Sequence, residues 1–509
     1  MSRTTRTGAL AACLAASLGL AGCTDAGTTG AGTSTLNIAT MTFPQSLDPA
    51  QAVGSALPFF QATYDTLVKR EPDGEFRPML ATAWEYNADR TELGLTLRKD
   101  AKFADGTAFD ATAVKANMER FKEGGGADAK WLKDLESVAV EDATHVTLRL
   151  KQPNPAMLFY LSDAAGLMAN PSAFDRGDGL KTTPDGTGPY RLDKAKTTVG
   201  TKWVYQRNPD YWGEPLPYET LTMSFFDNET AIVNGLKTGQ VNAALLQSAD
   251  QQISIESDPR MKTTEQEFDF QGLLLFDRGG KLTPALKDAR VRQALNLAID
   301  RETMLEAIRQ NRGETTSQVF GPDTHGYDRK LDTYYPHDPD RARNLLRAAG
   351  HADGFTLKLP RIPAIVNDAL AASLAADLEA VGVKLVWDDL DGASAVQKVF
   401  TDRAYSGMVM NMGQSSSDWV VVDELVNPGA FNMFGTSDAT VRELVPRVQS
   451  GTAEQAGAAV RALGEHLVKE AWFVPFYRMT YLHVSDGSVT VRPQSGMAVP
   501  SIYNYSPAK

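Results

Sequence analysis

Apolar and polar positions alternate with a period of two in the first third of the chain. Leu36 and Ile38 open the ordered region near Thr35, and Leu93, Leu95 and Leu97, then Val146, Leu148 and Leu150, repeat the pattern. Such alternation predicts half-buried strands. Pro72-Asp73-Gly74 and Asp105-Gly106 punctuate them with turn residues. Further along, the period lengthens. Val291, Ala294, Leu295 and Ala298 follow Asp288 at helical spacing, which predicts a helix with Asp288 as its cap. Asp338-Pro339 starts a second helix through Ala342, Leu345, Leu346 and Ala349, and Gly350 ends it. Phe355, Leu357 and Leu359 predict a strand. Asn367 caps a helix through Leu370, Leu374, Leu378 and Val381, Gly382 stops it, and Val383, Leu385 and Trp387 alternate again. A helical stretch over 393–403 leads to a strand over 406–412. This order predicts parallel strands joined by crossover helices. The halves differ too much for simple duplication, so the pattern predicts an α+β lobe followed by an α/β lobe.

The chain has 509 residues, enough for about three domains. Its 42% apolar and 22% charged residues are those of a globular protein, and its formal charge of −12 makes it a poor partner for nucleic acid. No apolar run reaches the roughly 18 residues of a membrane span. The first segment reads as an export signal, with Arg3 and Arg6 ahead of an apolar stretch over 8–19. Leu20-Ala21-Gly22-Cys23 follows and resembles the bacterial lipobox, in which the Cys is lipidated and the signal cut before it. Removal of residues 1–22 takes Cys13 with it and leaves Cys23 as the single cysteine, which excludes an internal disulfide. Lipid chains on Cys23 would hold the protein at the outer face of the bacterial cell membrane, with 23–34, rich in Gly, Thr and Ala, as a tether.

Catalytic motifs fail one by one. Gly413-Gln414-Ser415-Ser416-Ser417 lacks the last Gly of a nucleophile elbow, Gly279-Gly280-Lys281 lacks the upstream Gly of a phosphate loop, and Gly186-Thr187-Gly188 lacks the third Gly of a dinucleotide fingerprint. The six histidines are scattered, none at metal-ligand spacing with another. The expectation is a protein that is not an enzyme, with no catalytic residue, cofactor or metal site.

Several segments together resemble the family 5 extracellular solute-binding proteins of ABC importers, the group of oligopeptide-, dipeptide- and nickel-binding proteins. They are Leu47-Asp48-Pro49-Ala50, Pro78-Met79-Leu80-Ala81 with Trp84-Glu85, and Leu97-Arg98 through Phe103-Ala104-Asp105-Gly106-Thr107. Gly186-Thr187-Gly188-Pro189-Tyr190, Asn208-Pro209-Asp210-Tyr211-Trp212-Gly213, and Asp288 through Val291-Arg292-Gln293-Ala294-Leu295 to Arg301 continue the series in the family's order. On their own chemistry these motifs are scaffold: turns, large apolar anchors, and arginines (Arg290, Arg292) placed to pair with carboxylates. The resemblance implies a two-lobed periplasmic-binding-protein-like fold of type II, in the large class with an extra inserted domain. By the family pattern domain I is 35–50, 185–267 and 475–509, domain II is the strand-rich insert 51–184, and domain III is the α/β unit 268–474.

Ligands of open α/β sheets sit beyond the carboxyl ends of parallel strands. The strand over 406–412 runs into Gly413 through Ser417, Asp418 and Trp419, a loop of hydroxyls, a carboxylate and an indole suited to a small polar ligand. The resemblance implies that Asp418-Trp419 is the step whose Asp pairs with a peptide's α-ammonium, although the loop is about one residue longer than in oligopeptide binders. The expected ligand residues are Asp418, Trp419, Ser417 and Met412, with Phe43 on the opposing wall. Helix capping for Asp418 and core packing for Trp419 and the Met408, Met410, Met412 stripe are the structural alternatives. The implied function is a monomeric, lipid-anchored receptor that captures a peptide and delivers it to ABC permease subunits. An oligosaccharide receptor is the alternative, followed by a metal-chelate receptor or an exported hydrolase.

Overall fold

Strand alternation and capped helices assemble around one large mixed sheet. The computed structural model describes residues 34–177 and 179–508; the export signal, Cys23 and nearly all of the tether lie outside the described residues. The sheet has nine strands. Thr35–Thr40 lies parallel to Thr220–Phe225, with Leu36 opposite Leu221 and Ile38 opposite Met223. Lys202–Arg207 and Tyr190–Leu192 extend that side antiparallel. On the other side come Ala243–Leu246, then Phe473–Ser485, Lys262–Leu275 and Gly407–Gly413.

The two longest strands, Lys262–Leu275 and Phe473–Ser485, pair with each other over almost their whole length and connect the lobes. One end of the pair flanks Ala243–Leu246, and the other flanks Gly407–Gly413. Their register shifts twice, between Glu267 and Asp269 and between Gln271 and Gly272. The second shift lies opposite Pro475, which has no N–H to give a ladder and is tolerated inside a sheet at such bulges. Arg478, fully buried, binds across the pair: Nε donates to Glu267 at 3.1 Å, Nη1 to Asp332 at 2.7 Å and Nη2 to Glu314 at 3.0 Å.

The strand-rich unit is an antiparallel sheet of Ala81–Tyr86, Glu92–Leu97, His145–Leu150 and Leu135–Val140. Leu93, Leu95, Leu97, Val146, Leu148 and Leu150 are its buried alternation, and helix Ala111–Glu123 packs against it. The helix starts where Asp110 accepts the N–H groups of Thr112 and Ala113. In the C-terminal lobe, helices Ala289–Ala298, Pro339–Ala348 and Asp368–Glu379 carry the caps expected at Asp288, Asp338 and Asn367.

Two expectations are corrected here. Phe355–Arg361 and Val383–Asp389 are parallel, but Gly407–Gly413 joins Lys262–Leu275 antiparallel, because the long strand offers it a full ladder from Asp269 to Leu275. Arg292 binds no carboxylate; its guanidinium donates to the carbonyls of Leu286, Lys287, Glu470 and Ala471, while Arg290 does pair with Asp288. The stretch 393–403 is helical but divided, an α-turn Gly392–Ala395 running into a π-helix Val396–Thr401.

Motifs far apart in sequence converge on Asp65. Its buried carboxylate accepts hydrogen bonds from Thr187 Oγ1 (2.8 Å), Trp212 Nε1 (2.8 Å), Tyr503 OH (3.0 Å) and Tyr211 OH (3.2 Å). A Cβ at Gly186 would stand 2.3 Å from Thr63 O, and one at Gly188 2.4 Å from Thr63 C, so these glycines let the backbone reach that carboxylate. Burial pushes the Asp65 pKa up to about 6 against the pull of its four donors. The folded state therefore holds this proton more tightly than the unfolded chain, and the stability Asp65 contributes falls as pH rises through the window from about 4 to about 6. We expect Asp65→Ala, which orphans four donors, to destabilise the protein by roughly 3 kcal/mol or more in urea melts. Asp65→Asn, whose amide can donate to tyrosine hydroxyls free to rotate, should cost far less and should flatten the slope of stability between about pH 4 and pH 6.

Candidate functional site

Three cavities lie where the lobes, the strand-rich unit and the C-terminal segment meet. The central one, about 240 Å³, is lined by Trp131 and Phe159 from the strand-rich side, Val420 and Glu424 from the C-terminal lobe, Phe268 of the long strand, and Met497. The largest, about 460 Å³, shares Phe159 with it and is lined by the turn at Asp73-Gly74, by Asp323 and His325, and by Ser417, Asp418 and Trp419. The third, about 120 Å³, shares Ser55 and Val499 with the central one and reaches Ile38, Thr40 and His483. Burial pushes His483 down to about 4, so it is neutral at pH 7, with its Nε2 against Gln266 Oε1 at 2.7 Å.

The loop 413–417 ends on helix Asp418–Leu425, whose first residue is Asp418; the cap position falls to Ser417. Asp418 accepts from the backbone N–H of His325 (2.9 Å) and of Gly326 (3.2 Å), and its Oδ2 meets His325 Nδ1 at 2.8 Å. It therefore fastens the 325–326 backbone to the ligand loop. Among the described residues Asp418 is the only side chain hydrogen-bonded to the His325 ring, which is 72% exposed. Trp419 is 3% exposed, and its Nε1 has no hydrogen-bond partner.

Ser417, Asp418 and Trp419 thus share one cavity, while Phe43 and Met412 are elsewhere. Phe43 packs on Trp203 (5.3 Å between centroids) and edge-on to Phe225 (5.0 Å), because Thr40 to Thr42, rather than Phe43, reach the smallest cavity. Met412 faces the core with Met408, as strand periodicity dictates once Gly407–Gly413 is paired on the sheet. The cleft residues that sequence reasoning missed are Trp131, Phe159, Phe268, Glu424 and Met497. They come from five separate stretches, and no local signal unites them.

Contacts between the strand-rich unit and the C-terminal lobe border the central cavity. Lys133 Nζ lies 2.6 Å from Asp423 Oδ2, and Lys130 Nζ 3.4 Å from Glu424 Oε1, both on the helix that begins at Asp418. Gln449 Nε2 donates to Pro153 O at 2.9 Å and Arg90 Nη1 to Gly451 O at 3.1 Å. The described residues form one compact unit, with the lobes drawn together. Among the described residues no group of three or more His, Cys, Asp or Glu could hold a metal ion, and no helix is long and apolar enough to cross a membrane.

Comparison with known proteins agrees with this architecture. The structure of HbpA2 from Haemophilus parasuis superposes with a TM-score of 0.79 at 20% identity, covering 93% of this chain and all (100%) of that one. DppA from Helicobacter pylori, a periplasmic binding protein solved with the peptide STSA, superposes with a TM-score of 0.77 at 20% identity over 93% of this chain and 98% of its own. In sequence, the glutathione-binding protein GsiB of Salmonella paratyphi A is 27% identical over 300 residues, which is 58% of this chain and 57% of that relative. The chain thus matches little more than half the length of this curated relative. The model of the bacterial extracellular solute-binding proteins, family 5, matches residues 75–425, more than half of the chain, and the chain belongs to that family.

Proposed function

We propose that this protein captures a small solute, a peptide in the first instance, between its lobes and delivers it to the permease subunits of an ABC importer. The observation that carries the reading is a chain of cavities enclosed between two lobes that are joined through a pair of continuous strands. Such a joint lets the lobes bend apart to admit solute and close to bury it, the movement of periplasmic binding proteins. In this reading domain I comprises 35–50, 185–267 and 475–509, domain II 51–184 and domain III 268–474. The two crossings between I and III then fall inside the paired long strands, at the bulges. Lipid on Cys23 would keep the receptor, a monomer, beside its permease on the outer face of the membrane.

Peptide is favoured over sugar by the chemistry of the lining. Trp131 is stacked on Tyr160, with centroids 5.2 Å apart and planes 13° from parallel, so one of its faces is already occupied. Asp418 offers an acceptor to a peptide's ammonium, beside the indole of Trp419. The related proteins named above that bind glutathione or a peptide support the same choice.

Closure should depend on the cross-lobe ion pairs. We expect Lys133→Ala to weaken solute binding about two- to fivefold, as an exposed pair is worth roughly 0.2–1 kcal/mol, and the difference to shrink in high salt. Calorimetry at two ionic strengths measures both. Asp418→Ala should cost about tenfold or more in affinity for a cognate peptide; unchanged binding would remove Asp418 from the site. The reading as a whole is checked by a thermal-shift screen of peptides against cello- and xylo-oligosaccharides, with mass spectrometry of what co-purifies. Turnover of a bound peptide would replace the receptor reading with a hydrolase.

A further inference from the structure

Among the described residues, no lysine or arginine lines any of the three cavities, whereas carboxylates line all of them. The smallest has Glu229, the central one Asp163 and Glu424, and the largest Asp73, Glu75, Asp323 and Asp418. Some bring their own counter-charge: Asp163 has Arg70 at 3.4 Å, Glu424 has Lys130, and Glu75 has Arg77. Others are met only by neutral donors. Asp323 takes the Ser495 hydroxyl at 2.6 Å, Asp73 the Glu75 N–H at 3.0 Å, and Glu229 the N–H groups of Gln247 and Ser248 at 2.8 and 2.9 Å.

Two more carboxylates back the central cavity. Asp128 accepts the N–H of Gly54, a lining residue, at 3.2 Å. Asp269 bonds the Tyr481 hydroxyl through Oδ2, and its Oδ1 is shut off from solvent with no partner at all. That oxygen lies 3.6 Å from where a side chain on Gly413 would begin, and Gly413 itself lines the cavity. Burial pushes both acids up to about 6. A second unpartnered group, Trp419 Nε1, belongs to a side chain that lines the largest cavity. The site therefore offers apolar walls and a surplus of negative charge, with an unpartnered acceptor and an unpartnered donor buried behind its surface. Arg70, behind Asp163 and 4.0 Å from the Phe159 ring, does not reach the lining.

We infer that the cleft selects a solute of net positive charge, with an ammonium or guanidinium group attached to an apolar body. A ligand carboxylate buried here meets no lysine or arginine in the lining, which leaves it desolvated and repelled by the surrounding carboxylates. A ligand cation gains the field of the acidic lining. The inference rests on the solute-binding reading and narrows it: an anionic peptide such as glutathione is the wrong charge for this cleft, although a relative binds it.

The test uses the folded chain and two charge-reversed pairs in calorimetry and thermal shift. One pair is peptide, Ala-Phe-Lys amide against N-acetyl-Ala-Phe-Glu; the other is not, 4-phenylbutylamine against 4-phenylbutyrate. The cation of a pair should bind at least about tenfold more tightly than the anion, and Asp269→Asn or Glu424→Gln, shown to be folded by their melting transitions, should narrow that gap at least about threefold. Peptides that bind with the anion equal to or tighter than the cation overturn the inference and leave the peptide reading standing. A cation preference in the amine pair, with neither peptide bound, keeps the inference and overturns the peptide reading. Silence from all four probes overturns both.

Discussion

The two longest strands form one antiparallel pair, and the buried guanidinium of Arg478 ties one of them to Glu267 of the other. Three carboxylates from three stretches, Glu267, Glu314 and Asp332, surround it. A charge so deeply buried is tolerated only when paired and hydrogen-bonded on all sides. The ladder between the two strands is interrupted at two register shifts and is otherwise continuous. Beside that sheet the strand-rich unit and the C-terminal lobe touch through Lys133 and Asp423 and through Lys130 and Glu424, and the central cavity lies next to these contacts.

Fold and selectivity are written in different residues. The segments that place the chain in its family shape backbone close to Asp65, cap helices or fill the core, and few of them line a cavity. Leu93, Leu95 and Leu97 make a sheet face, and Gly186 and Gly188 admit a neighbouring backbone. The cleft is built from other positions, Phe159, Phe268, Glu424 and Met497 among them. One frame can therefore carry different cavity linings.

What the sequence made legible was local chemistry. Asp288, Asp338 and Asn367 cap helices because a side chain two or three residues from the N–H it accepts needs no information from elsewhere. The strands at 93–97 and 146–150 were equally plain, since one face of each is buried. Pairing partners were not legible. The strand over 406–412 has the pattern of a buried parallel strand, yet it pairs antiparallel, because its partner lies more than a hundred residues upstream and periodicity carries no direction. Ser417, Asp418 and Trp419, singled out by loop composition and by the family resemblance, share a cavity. Met412 was placed by proximity in sequence alone, and alternation turned it toward the core. Asp65 went unremarked because a single Asp in an apolar stretch gives no sign of four donors arriving from positions 187, 211, 212 and 503.

That last convergence bears on the order of events during synthesis. Tyr503 lies 438 positions from Asp65 along the chain, so one of the four donors to the buried carboxylate is made long after the carboxylate itself. Until it arrives, the N-terminal part carries an incompletely solvated charge in its interior. Contacts of such long range slow folding, so the surroundings of Asp65 are among the parts of the fold that close late.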